Sequence, residues 1–94
     1  MHILRIEHPV PSFEGWKKAF DNDPLKRQQS GVRRYRIYRP VGDPNHVGVD
    51  LEFDESTDAD AMLSRLRELW SRVQGKVVDD PRAQIIEVIE AREY

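Results

Sequence analysis

Residues 31–53, GVRRYRIYRPVGDPNHVGVDLEF, decide the fold, because they read as a β-hairpin whose register follows from side-chain chemistry. In the second arm Val47, Val49, Leu51 and Phe53 alternate with Gly48, Asp50 and Glu52, the period-two pattern of a strand with one buried face. The first arm, Val32 to Arg39, can be tested against it by setting Arg39 opposite Val47, with residues 40–46 as the connecting loop. Ile37 then faces Val49 and Tyr35 faces Leu51, while Arg36 meets Asp50 and Arg34 meets Glu52. Slipping by one residue would put Arg36 against an aliphatic side chain, so the pattern itself selects the register. On this reading Asp50 and Glu52 belong to a charged, solvated sheet surface, with Arg36 as the partner of Asp50.

Working outward from the hairpin, HILRIEH at 2–8 reads as a strand with Leu4, Ile6 and His8 on its core face and Ile3, Arg5 and Glu7 on the other. Pro9 and Pro11 stop sheet pairing, since proline has no N–H to donate. Ser12 is a good N-cap for a helix running to about Asn22, with Phe13, Trp16 and Phe20 as its apolar stripe. Asp23-Pro24 ends or redirects that helix, and Leu25 to Gly31 is polar: a short helical turn or an irregular connection. After the hairpin, Thr57 and Asp60 have capping-box-like spacing. Ala59, Met62, Leu63, Leu66, Trp70 and Val73 then form one stripe, and Gly75 suits the C′ position. The final strand is expected over Ala83 to about Arg92, with Ile85 and Ile89 on one face and Ile86 and Val88 on the other.

The element order, βαββαβ, is the split βαβ arrangement of the ferredoxin-like α+β fold: a four-stranded antiparallel sheet with both helices on one face. An RNA-recognition motif shares the order but stacks bases on aromatic residues of its third strand, where this chain offers Gly48, Asp50 and Glu52. Two carboxylates there repel phosphate. No glycine-rich phosphate-cradling loop follows the first strand, which removes an acylphosphatase-like reading. The helices cover only one face, so a last strand apolar on both sides calls for a second copy of the chain.

Composition bounds the rest. Ninety-four residues, 38% apolar and 34% charged, make one domain over 1–94 with a modest core. A net charge of −2 points to no polyanionic partner, and no apolar run approaches the ~20 residues of a membrane span. No export signal opens the chain, and cysteine is absent, which excludes disulfides, a thiolate nucleophile and cysteine-ligated metal centres. A cytoplasmic protein, with no nucleic acid or membrane partner and no cofactor, is the expectation.

The runs WKKAFD at 16–21, GVRRYRIYR at 31–39 and DPNHVGVDLEF at 43–53, with the helix that follows, resemble the dimeric α/β-barrel superfamily. They are similar in particular to the antibiotic-biosynthesis-monooxygenase-like and stress-responsive barrel proteins. The resemblance, over roughly residues 2–90, implies a homodimer whose two sheets form a shared barrel, with a ligand space between sheet and helices in each protomer. Cofactor-free monooxygenases of the superfamily use Asn, Trp and Tyr around that space, and haem-degrading members a strand Asn with a helix Trp and His. Of either set only Trp70 has a counterpart here, since Asn22 and Asn45 fall in connections and the second helix has no histidine.

His8, at the end of the first strand on the helix-facing side, is the candidate catalytic or ligand-positioning group, with an ordinary pKa near 6.5; the plainer alternative is a half-exposed histidine at a strand end. His46 reads as a loop residue and His2 as terminal, and the three histidines lack metal-ligand spacing. Trp16, Phe20, Tyr35 and Trp70 are candidate walls of an aromatic pocket, or plain core. Two functions follow. The first is binding or cofactor-independent transformation of a small aromatic or hydrophobic molecule. The second is a non-catalytic homodimeric interaction module with a fully packed interior.

Overall fold

A computed structural model describes residues 1–73 and 81–94. The elements are β1 (His2–Pro9), α1 (Phe13–Asp21), β2 (Val32–Tyr38), β3 (His46–Phe53), α2 (Ser56–Val73) and β4 (Arg82–Glu87). The strands form one antiparallel sheet in the order β2-β3-β1-β4, the ferredoxin-like arrangement. Gly75, the 76–80 connection and the Val73 side chain lie outside the described residues.

The hairpin has the register its chemistry dictates: Arg34 opposite Glu52, Tyr35 opposite Leu51, Arg36 opposite Asp50 and Ile37 opposite Val49. Pairing ends at Tyr38 opposite Gly48, one step short of Arg39, and a bulge between Val32 and Arg34 brings Val32 opposite Phe53. On the helix-facing side Leu4, Ile6, Val47, Val49, Leu51 and Phe53 are buried with Trp16, Ala59 and Met62. Leu63, Leu66, Trp70 and Ile85 pack partly buried against them.

Local chemistry sets the ends of the elements. The Ser12 hydroxyl accepts the Gly15 N–H at 3.2 Å and caps α1, while Asn22 closes it by donating to the Lys18 carbonyl. β1 continues through Pro9, paired with His46, and Val10 then donates to the Asn45 carbonyl at 2.8 Å. Asn45 also donates its side-chain amide to the carbonyls of Val10 and Pro11, so the hairpin loop ties down the segment that launches α1. The Thr57 cap is corrected: α2 already includes Ser56, placing Thr57 inside the first turn.

The last strand is shorter than its apolar sequence suggests. Its ladder to β1 ends with Glu87 opposite His2, and one further bond runs from Val88 N–H to the Met1 carbonyl at 3.1 Å. β1 supplies no more partners beyond that point, so residues 88–94 carry no regular structure and Ile89 is 86% exposed. Ile85 turns to the helices and Ile86, opposite Ile3, to the other face.

That other face departs most from expectation. Asp50 is buried, not solvated, and its main partner is Arg5 of β1 rather than Arg36. Arg5 grips it with Nε to Oδ1 and Nη2 to Oδ2, both at 3.0 Å. The Tyr38 hydroxyl donates to Oδ1 at 3.0 Å and Arg36 Nη2 to Oδ2 at 3.3 Å. Burial alone would raise the Asp50 pKa, but the bonds from Arg5 and Tyr38 and the charge of Arg5 outweigh it and hold the carboxyl below its ordinary range. Tyr38 is pushed up to about 12, first by burial and then by its bond to the Asp50 anion. Gly48 makes room for this: a Cβ there would collide with the Tyr38 ring, lying 2.6 Å from Cζ.

Candidate functional site

Strand parity puts His8 on the same face as Leu4 and Ile6, and the structure buries it to 2% exposure, against the half-exposed alternative. Its Nδ1 lies 3.0 Å from the Pro9 carbonyl oxygen, which can only accept, so Nδ1 carries the proton. Nε2 is then a bare acceptor with no partner among the described residues. Burial lowers the His8 pKa, partly offset by the Pro9 bond and reinforced by His46, so the ring is neutral at neutral pH.

Helix α1 lays its i, i+3, i+7 stripe over this ring. Trp16 is centred 6.1 Å from His8, 5.9 Å from Phe13 and 5.1 Å from Phe20, on which it stacks at 25°. Phe20 meets Tyr35 edge-on at 5.0 Å. Between this stripe, the sheet and α2 lies a cavity of about 260 Å³. His8, Trp16, Phe20 and Trp70 all line it, so the structure brings four of the five sequence-derived candidates together. Tyr35 is the exception: β2 is the sheet's outer strand, and Tyr35, 48% exposed, lines a neighbouring surface groove beyond Phe20.

Two sets of lining residues were not singled out from the sequence. Leu69 joins Met62, Leu66 and Trp70 on the cavity side of α2, and its spacing of three from Leu66 was a readable signal. The segment 22–27 is the other. Asp23 and Lys26 take left-handed backbone conformations, with φ of 51° and 50°, and fold the chain back toward α1. Arg27 thereby reaches Phe20: its Nη1 donates to the Phe20 carbonyl at 2.8 Å, and its guanidinium carbon sits 3.8 Å from the Phe20 ring centre. Among the described residues no three His, Asp or Glu side chains converge as metal ligands, and no helix is long and apolar enough to cross a membrane.

The chemistry available is therefore a largely apolar, aromatic-walled space with one neutral imidazole acceptor on the sheet side and Asn22, Asp23 and Arg27 on the side of the 22–27 segment. The imidazole nitrogen can accept a hydrogen bond from a bound donor, or take its proton.

No family model matches the chain, and no curated protein matches it. Solved structures do. A variant of MhuD, with two manganese protoporphyrin IX molecules bound per active site, is 15% identical over 100% of both chains, with a TM-score of 0.71. A dimeric ferredoxin-like protein from an uncultured marine organism is 10% identical over 100% of both chains at 0.68. An antibiotic biosynthesis monooxygenase is 12% identical over 96% of this chain and 100% of its own at 0.67. The likeness is one of fold. It places the chain beside ferredoxin-like dimers and monooxygenase-like proteins, as its strand and hairpin motifs imply, and at such identities it carries no site residue across.

Proposed function

We propose that the cavity binds a small aromatic or hydrophobic molecule and that His8 Nε2 accepts a hydrogen bond from it. One observation carries this reading: His8, only 2% exposed as a residue, leaves a ring nitrogen without a protein partner among the described residues beside a largely apolar space of about 260 Å³. Unpaired polar atoms in such surroundings are costly, so a donor on a ligand gains more here than it would in water. A fully packed interior, the alternative function, is at odds with that open volume. The protoporphyrin of the MhuD variant makes a tetrapyrrole a second candidate occupant, and size argues against it. A dry cavity of ~150 Å³ holds one benzene, and the present space, at about 260 Å³, suits one or two fused rings rather than four linked pyrroles. A bound phenol would lie with its hydroxyl on Nε2, the geometry from which a neutral imidazole acts as a general base.

The test is calorimetric titration with 2-naphthol. His8→Ala should weaken binding about tenfold, the value of one hydrogen bond in a buried site. This is measured where the variant is still folded, since removing a ring 2% exposed and packed by Trp16 should also cost on the order of 2 kcal/mol of stability. Such a loss with unchanged binding would identify a structural histidine.

The protein further acts, in our reading, as a homodimer joined through the sheet face opposite the helices. On that face the partly buried Ile86 stands beside Ile3, which is buried within the protomer. A partner that completed the cover of Ile86 would add some fraction of the roughly 1.5–3 kcal/mol that a fully buried aliphatic side chain contributes. Light scattering after size exclusion should give about twice 11.0 kDa, and Ile86→Glu should dissociate the pair. A clean monomer at micromolar concentration would rule the dimer out.

A further inference from the structure

We propose that Arg27 reads an acidic group on the ligand, so that the cavity takes an aromatic carboxylate of one or two rings; this extends the binding reading above and rests on it. Arg27 lines both the cavity and the adjoining surface groove that holds Tyr35, and so stands at the border between them. It is held in place before any ligand arrives. Its backbone N–H donates to Asp23 Oδ1 at 2.9 Å, its Nη1 donates to the Phe20 carbonyl, and its plane rests over the Phe20 ring. The side chain is 17% exposed, so little water is left to solvate its remaining donors.

Those donors are the point. Both side-chain contacts involve Nη1: the Phe20 carbonyl at 2.8 Å and Asp23 Oδ1 at 3.4 Å, the latter from a carboxylate 37% exposed. The Nε–Nη2 edge has no partner among the described residues. This is the edge with which Arg5 holds Asp50 by two parallel 3.0 Å bonds, the fork geometry that suits a carboxylate. The other two arginines of the groove, Arg33 and Arg34, also have carboxylate partners but are 65% and 66% exposed, so water screens their charge far more than that of Arg27. Arg27 therefore offers a fixed, partly desolvated fork beside an aromatic-walled cavity. Asn22 and Asp23 line the cavity as well, and Asp23 balances Arg27 only from the Nη1 side. A ligand matched to the free edge of Arg27 and to His8 carries a carboxylate for the first and, elsewhere on its rings, a hydrogen-bond donor for the second.

Two probes separate this proposal from the reading it rests on: 2-naphthol, and 6-hydroxy-2-naphthoic acid, which adds the carboxylate. By calorimetry near neutral pH the acid should bind about tenfold tighter than the naphthol, as for a charge-assisted bidentate contact. Arg27→Gln should bring the ratio of the two affinities to about one, and Arg27→Lys should restore only part of it, a point charge lacking the fork. Because each ratio is measured within one variant, partial unfolding lowers both affinities alike and leaves it intact. If naphthol binds and the acid binds no tighter, or if Arg27→Gln keeps the advantage, the role of Arg27 is overturned while the cavity reading stands. If neither probe binds, the cavity reading itself fails, and the assignment of Arg27 falls with it.

Discussion

Arg5→Met should lower the unfolding free energy by about 3 kcal/mol at neutral pH, the low end of what breaking a buried ion pair costs. The pair is asymmetric: the Asp50 side chain is 3% exposed and that of Arg5 37%. Removing Arg5 strands a carboxylate that water cannot reach, whereas removing Asp50 leaves a guanidinium that can turn to solvent. Tyr38 and Arg36 still donate to Asp50, which is why the lower end of the range applies. The double variant Arg5→Met/Asp50→Asn should recover most of the loss, because it removes the stranded charge. The pH dependence has a definite sign. In the intact protein the folded-state pKa of Asp50 is depressed, so its contribution is full above the ordinary value of 3.8 and is lost as pH falls through the folded value. Without Arg5, desolvation dominates and the pKa rises, so acidification should narrow the gap between the two proteins. Urea unfolding followed by tryptophan fluorescence, at one fixed protein concentration, measures all of this. A cost under about 1 kcal/mol, typical of a solvated surface pair, would mean that Asp50 is open to water.

Phe53→Ala should cost about 3–5 kcal/mol, a large share of the 5–15 kcal/mol that holds a small domain together. Phe53 is fully buried at the end of β3, flanked by His2 of β1 and Val32 of β2. Its ring thus fills space where three strands meet, and their backbones, locked by ladder bonds, cannot collapse into the void. Ile89→Ala is the control: at 86% exposure it should fall within about 0.5 kcal/mol of the parent. Equal costs at the two positions would mean that the sheet slips in register or that the C-terminal residues are packed.

The hairpin register was legible because every fact it needs is local. Arg36 opposite Asp50 and Ile37 opposite Val49 follow from period-two alternation and the penalty for setting charge against an aliphatic side chain. The stripes of α1 and α2 were readable for the same reason, as was the side of β1 on which His8 lies. The Arg5–Asp50 pair was not, since it depends on the register between strands 45 residues apart in sequence. Alternation put Arg5 on the correct face without saying what stood opposite. Once Arg5 and Tyr38 close over Asp50, a surface that reads as solvated in sequence becomes a buried ionic cluster.

The candidate site divides along the same line. Sequence alone determined the order of elements, the helix faces, and the side of its own element on which each of His8, Trp16, Phe20 and Trp70 lies, because side-chain direction within one element is set by its backbone period. Tertiary structure gathered these four and decided what they enclose. It moved Tyr35 outside, because β2 is the outer strand, and it brought in Arg27, because two left-handed residues at 23 and 26 fold a polar connection back over Phe20. It also fixed the proton of His8 on Nδ1 through the Pro9 carbonyl. The tautomer rests on a contact with the very next residue, which needs a side-chain torsion that sequence does not give. Cavity and fork are properties of distances between segments, and periodicity within an element carries no information about those distances.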